Sequence, residues 1–434
     1  MSYPRKVQAL LKEAGVDIGD EVIVKCGDKS YRGVVMPHHS FSGKDILTIK
    51  LRNGYNIGLE VGPDLVLERG AEGVKRGVSE QQLVEDPTKP PVSFLGTGGT
   101  IASYVDYRTG AVFPALTAEE LAFSVPELQD HCNVRARVLF SIFSEDMRAR
   151  NWRVLAKEVA KELNGGSKAV VVPHGTDTLG YTAAALSFML RNLTGPVILV
   201  GAQRSSDRPS SDAYTNLLAA ARLVSTDLGE VVVVMHEETS DLHSTIHRGT
   251  KVRKMHSSRR DAFKTINAKP LGRVNVDGEV TLYGDFRRRA EGKVEVDDKM
   301  EEGVTLLYTY PNMEPRVLEA CAQHSLGIVL AGTGLGHIPR NLVPSIRRAI
   351  REGIQVVMTS QCLYGRVGMY VYSRGRELVR AGVIPGEDML PETAMVKLMW
   401  VLGHTSDPAE VRRLMTSNLM GEINPRLGIE EFEA

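Results

Sequence analysis

Two Gly-Thr runs, an aspartate and a lysine stand in settings where a hydroxyl can be turned into a nucleophile. The first run lies in VSFLGTGGTIAS, where the apolar residues 92–95 break into Gly96-Thr97-Gly98-Gly99-Thr100. The second lies in AVVVPHGTDTLGYTAAAL, where a valine run ends at Pro173 and opens into His174-Gly175-Thr176-Asp177-Thr178. The lysine is Lys254, within KVRKMHSSRRDAF, residues 251–263. A hydroxyl is a weak nucleophile at its free pKa and needs a base, such as a desolvated lysine, to take its proton. The oxyanion formed on an attacked carbonyl needs close donors, which backbone N–H groups of a glycine-rich loop supply. An aspartate orients the lysine or holds a substrate ammonium. The chemistry this set suits is attack on an amide or ester carbonyl, with no metal required.

Each segment also has a plainer reading. The loop at residues 96–100 is not a phosphate cradle of the Walker type, because no Lys followed by Ser or Thr stands in it. It is not a dinucleotide loop either, because Ile101 occupies the position where Gly or Ala is needed. A tight strand-exit turn explains it equally well. Asp177 and Thr178 suit an ordinary helix cap. Yet two Gly-Thr loops at strand exits of one sheet argue against coincidence, since open α/β sheets bind ligands at the carboxyl ends of their strands. In VGAQRSSDRPSSDAYTN, Gln203 and Arg204 leave a strand, and Asp212 and Asn216 share one helix face. A solvated loop and cap is the preferred reading there. The basic cluster around Lys254 reads as wet surface. FSEDM places Ser144, Glu145 and Asp146 after an apolar run, and LAGTGLGHIP places glycines after a strand. His337 in the latter reads as a satisfied loop histidine. Cys362 lacks a base and is a poor nucleophile candidate.

The elements that must position these residues fall into three regions. Residues 1–78 carry short β-like runs separated by turn residues such as Gly27-Asp28 and Asn53-Gly54, which suggests a barrel of about five strands, SH3-like or Tudor-like. A polar stretch rich in proline, residues 79–91, reads as a linker. From residue 92, buried-strand runs at 169–172, 197–200 and 231–234 alternate with amphipathic segments such as 152–163 and 182–193. That alternation predicts a parallel sheet covered by helices on both faces, over residues 92–290. A charged stretch, taken as a linker at 291–302, precedes a second α/β domain at 303–434.

The composition is that of a globular protein: 42% hydrophobic and 24% charged over 434 residues, with 53 Lys+Arg against 53 Asp+Glu. Such a balance does not supply the clustered cationic surface that nucleic-acid binding needs from this chain alone. The N-terminus has no signal-peptide core, and no apolar run approaches the roughly 18 residues of a membrane span. The four cysteines, Cys26, Cys132, Cys321 and Cys362, show no metal-ligand spacing. A cytoplasmic protein is expected.

The ordered set GTGGTIAS, FSEDM, PHGTDTL, VGAQRSSD, the Lys254 segment and AGVIPGEDMLPETAMVKLMW resembles the L-asparaginase family from residue 92 to the C-terminus. The resemblance implies an asparaginase-like α/β fold in two parallel-sheet, flavodoxin/Rossmann-like domains. It implies Thr100 as nucleophile and Thr176, Asp177 and Lys254 as a second catalytic group. A loop tyrosine, Tyr104 or Tyr107, joins them, with Tyr104 taken as the candidate. Gly99, Ser144, Glu145 and Gly175 fall on substrate-binding positions; Glu145 stands where the family often has Gln. Metal ligands and cofactors are not expected in this chain. The extra N-terminal barrel departs from stand-alone asparaginases and resembles the D-subunit family of archaeal glutamyl-tRNA(Gln) amidotransferases. That resemblance implies release of ammonia from Gln or Asn and a homodimer partner. It also implies a GatE-like kinase/transamidase subunit that holds ATP and Mg and carries most of the Glu-tRNA(Gln) contact. The alternatives are a free asparaginase with an incidental barrel and a non-catalytic scaffold.

Overall fold

The structure, a computed structural model, describes residues 3–36, 38, 45–51, 56–70, 85–98, 101, 103–105, 112–114, 125, 127–204, 211–428 and 432. The N-terminal region is a five-stranded antiparallel sheet over Glu21–Cys26, Lys29–Val35, Ile46–Leu51, Asn56–Glu60 and Leu65–Arg69. The first of these strands pairs with both the second and the fifth, which brings the ends of the region together. A helix not expected from the sequence, Arg5–Glu13, precedes them. Its Val7 and Leu11, one turn apart, are buried against Val22, Val24, Leu47 and Ile49 in a core of the region's own.

The second region is built on an eight-stranded sheet. Its order is Val280–Leu282, Gly272–Asn275, His243–Arg248, Val231–His236, Val197–Val200, Ala169–Pro173, Pro91–Gly96 and Asn133–Val138. The last five in that order run parallel, and the first three are antiparallel additions, so the sheet is mixed rather than parallel throughout. The unbroken apolar runs follow from burial on both faces. Val170 and Val172 face one cluster with Leu155, Val159 and Leu186, while Ala169 and Val171 face another with Leu217 and Ala220. Each of these valine and leucine side chains contributes about 1.5–3 kcal/mol on leaving water.

The third region is a parallel sheet of Val304–Tyr308, Gly327–Gly332, Gln355–Ser360 and Ile384–Pro385, flanked by helices. It shares a core with the second region. The helix Leu179–Met189 lies between them, and Phe188 stacks on Trp400 of the helix Pro391–Leu402 with ring centroids 6.2 Å apart. This position corrects the expectation of an amphipathic helix at 182–193: the helix ends at Met189 and is buried on every side from Thr182 onward. The charged segment expected as a linker at 291–302 is also packed. Val294 exchanges two hydrogen bonds with the Asn164 side chain, Glu295–Val296 pairs with Leu190–Arg191, and Met300 joins the core. Among the described residues, no helix is long and apolar enough to cross a membrane.

Candidate active site

In the parallel part of the large sheet, the chain leaves the strand Pro91–Gly96, lays Asn133–Val138 on one side of it, and then lays Ala169–Pro173 on the other. The order therefore reverses between the strands Pro91–Gly96 and Ala169–Pro173. A crevice opens at the carboxyl end of such a reversal, because the connections on either side run off in opposite directions. The two segments that leave these strands begin at Thr97 and His174. They are tied together at their bases: the Thr97 amide and hydroxyl both donate to the Pro173 carbonyl, at 3.1 and 3.0 Å. Gly98 holds φ at +110°, and a Cβ there would collide with the Ile142 carbonyl oxygen, so this turn requires glycine.

Thr176, Asp177 and Lys254 converge here. Lys254 ends the strand Val252–Lys254, which forms a hairpin with Phe263–Thr265. Its Nζ donates to Thr176 Oγ1 and to Asp177 Oδ1, both at 2.8 Å. The lysine side chain is 14% exposed and the aspartate 68%, so the ammonium is largely withdrawn from water while its carboxylate partner borders solvent. Because Thr176 Oγ1 accepts from the lysine, its own hydrogen is left to point into the crevice region or to water.

The second loop is braced from beneath. Buried His174 bonds the Gly175 carbonyl through Nδ1 at 2.7 Å; a carbonyl only accepts, so Nδ1 carries the proton. Nε2 then accepts from Thr182, 2.9 Å away, and Thr182 Oγ1 accepts from Trp152 Nε1 at 2.9 Å. Burial depresses the His174 pKa to about 4, which keeps the imidazole neutral and this polarity fixed. Ser144 is buried against Gly175: a Cβ on Gly175 would stand 2.8 Å from Ser144 Cβ. The Thr178 hydroxyl donates to the Ser144 carbonyl at 2.6 Å instead of capping its helix. Glu145 is exposed on the same single helical turn, Ser144–Asp146.

The structure thus brings Ser144, Gly175, Thr176, Asp177 and Lys254 to one place. Gly99, Thr100 and Tyr107 lie outside the described residues. Tyr104 lies in the short strand Ser103–Val105, paired with Val112–Pro114. Among the described residues, no group of three or more His, Cys, Asp or Glu side chains converges as metal ligands would.

Several plain readings of the sequence are corrected. The loop after Val197–Val200 is held, not merely solvated: Asp212, fully buried, accepts the amides of Gln203 and Arg204 at 3.0 and 2.9 Å. Asn216 donates to the Gly201 carbonyl at 2.9 Å, and a Cβ on Gly201 would stand 2.7 Å from Thr176 Cγ2. Asp212 and Asn216 thereby fix a wall of the site that the sequence could have flagged only as a shared helix face. The basic cluster is wet surface only in part: residues 255–259 are exposed, and the rest is not. Lys251 is fully buried, and Arg253, Arg259 and Arg260 pair with Glu392, Asp261 and Asp241. Buried His337 Nε2 has no hydrogen-bond partner among the described residues, against the expectation of a satisfied histidine; the ring stands edge-on to Tyr372.

Comparison with known families agrees with this architecture. The "Asparaginase, N-terminal" model matches residues 91–287, the "Glutaminase/Asparaginase C-terminal domain" model 303–415, and the "GatD N-terminal domain" model 16–66. The D subunit of glutamyl-tRNA(Gln) amidotransferase from Pyrococcus furiosus is 54% identical over 428 residues, covering 97% of this chain and 98% of that protein. Its counterpart from Methanothermobacter thermautotrophicus is 47% identical over 435 residues, covering the whole of both. Among solved structures, the thermostable L-asparaginase from Thermococcus kodakarensis superposes with a TM-score of 0.70 at 35% identity. It covers 77% of this chain and 100% of its own. A probable cytoplasmic L-asparaginase from Campylobacter jejuni gives 0.63 at 30% identity, covering 76% of this chain and 100% of its own. With asparaginase-type domains behind a GatD N-terminal domain and near-full-length likeness to these amidotransferase proteins, this chain belongs to the asparaginase family and, within it, to the family of glutamyl-tRNA(Gln) amidotransferase D subunits.

Proposed function

We propose that this chain is the ammonia-releasing subunit of a glutamyl-tRNA(Gln) amidotransferase. It hydrolyses the side-chain amide of Gln or Asn and works with a GatE-like partner that holds ATP and Mg and amidates Glu-tRNA(Gln). The observation that carries the reading is the Lys254 ammonium bonded at once to Thr176 and Asp177 at the sheet's reversal point. In this reading Thr100 Oγ gives up its proton as it attacks the amide carbonyl, and the C–N bond breaks as that same proton is delivered to the leaving nitrogen. The proton travels by way of Thr176 and Lys254, and water then cleaves the Thr100 ester to release the acid. Asp177 orients the lysine. Gly99, Gly175, Ser144 and Glu145 hold the substrate, and Tyr104, or Tyr107, closes over it. A homodimer in the cytoplasm is the working form.

A stand-alone asparaginase is the second reading, favoured by the likeness to solved L-asparaginases, one of which is matched over its whole length by 77% of this chain. Assay of the purified chain separates them. The subunit reading expects weak ammonia release from Gln or Asn that rises when partner and Glu-tRNA(Gln) are added. Strong release alone, with no response to either, supports the free enzyme instead.

The barrel has its own apolar core and is joined through a proline-rich stretch, so it is assigned to assembly rather than chemistry. A chain lacking residues 1–78 should keep most of its basal ammonia release. It should lose assembly with the partner or the stimulation by tRNA. A truncated chain that forms Gln-tRNA as well as the full chain would end the assembly role. Loss of basal hydrolysis would mean that the barrel supports the core.

A further inference from the structure

The tail segment AGVIPGEDMLPETAMVKLMW carries family likeness, yet its polar groups point to a different task from bonding substrate. They grip the base of the hairpin that presents Lys254. Lys251 Nζ donates to Asp388 Oδ2 at 2.6 Å, with both side chains fully buried. On the other strand's exit, Asn267, in the left-handed conformation at φ 56°, donates Nδ2 to the carbonyls of Asp388 and Gly365, at 3.0 and 2.9 Å. It also accepts the Gly365 amide at 2.8 Å. The Thr393 hydroxyl donates to the Thr250 carbonyl at 3.0 Å, and Arg253 pairs with Glu392 at 3.2 Å. Asp388 Oδ1 is itself held by the Asn424 amide at 3.0 Å.

We propose that Asp388 is a positioning residue: through Lys251 it sets the Lys254 hairpin, and so the lysine amine, against Thr176 and Asp177. The inference rests on the amidohydrolase reading above. The lever arm is short. Lys251 stands three residues before Lys254, about 10 Å along an extended strand. Its carbonyl accepts the Ile266 amide at 2.8 Å, which fixes both strands at the base. Farther up, Lys254 pairs with buried Phe263. A tilt at the base therefore moves Nζ by a comparable amount, and about 1 Å of misplacement can cost on the order of 100-fold in rate. The same C-terminal domain that completes the core thus sets the geometry of a group carried by the N-terminal domain.

The test pairs kinetics with hydrogen exchange of the hairpin. Asp388→Asn is expected to lower kcat for ammonia release by about 10- to 100-fold with KM changed less than about threefold. The amides of residues 252–254 and 263–265 should exchange faster. In a Lys254→Ala background the same substitution should cost nothing further, because it acts through Lys254. A residue that merely stabilises the fold would give the same proportional loss in both backgrounds, and that result overturns the proposal. Asp388→Asn removes the buried carboxylate that faces the Lys251 ammonium, so a chain that fails to fold is replaced by Lys251→Met/Asp388→Leu, which removes both charges. Unchanged kcat and exchange in that folded double variant also overturn it. If the wild-type chain releases no ammonia, alone or with its partner, the amidohydrolase reading falls, while the exchange of the hairpin still decides whether Asp388 positions it.

Discussion

Thr100→Ala is expected to lower ammonia release from Gln or Asn by at least about 1000-fold, the scale on which an enzyme loses rate when its covalent nucleophile is removed. The first motif holds two threonines, and Thr97 is the one among the described residues. The Thr97 hydroxyl is buried and spent on the Pro173 carbonyl, tying two strand exits together. Thr97 is therefore scaffold, and the proposal assigns the nucleophile's role to Thr100. The fold should survive the change, because the apolar anchor of the loop is the next residue, Ile101, packed with Val92 and Phe94. The measurement is steady-state ammonia release with a thermal melt as control. More than about a tenth of the activity remaining, in a chain that melts normally, removes Thr100 from the nucleophile's role.

Lys254→Ala and Asp177→Ala should each cost roughly 100-fold or more, as loss of a positioned acid–base group does. Their shared contacts set the second expectation. One Nζ serves both Thr176 and Asp177, so removing the lysine already strips the aspartate of what it orients. The double variant should then be little slower than the worse single. Neither change should unfold the protein: the Asp177 side chain is 68% exposed, so water solvates its carboxylate when Lys254 is gone, and removing Asp177 leaves Lys254 its contact with Thr176. Fully multiplicative losses would show that the two groups act independently.

The architecture was legible where residue pattern and burial are the same fact. Valine runs at 169–172, 197–200 and 231–234 read as strands covered on both faces, and they are. Patterns misled where a neighbour outside the local window supplied the burial. The helix Leu179–Met189 is sandwiched between two regions, so it has no polar face to show. Lys251 belongs by type to a surface run and by partner to the interior, because Asp388 neutralises it from 137 residues away. The antiparallel strands added beyond Val231–His236 lengthened the sheet past what alternation with helices could announce.

By itself the sequence determined the kinds of group available: hydroxyls on glycine-rich strand exits, an aspartate beside one of them, and a lysine in a basic run. It determined this because glycines punctuate a strand and admit the turns that put neighbouring hydroxyls at its exit. Which of those groups meet was decided by tertiary structure alone. Lys254 reaches Thr176 across 78 positions of chain, and it does so through sheet order and hairpin register. Neither is written in any local pattern. Backbone hydrogen bonding is indifferent to side-chain identity, so strand order is settled only when the whole apolar surface is buried at once.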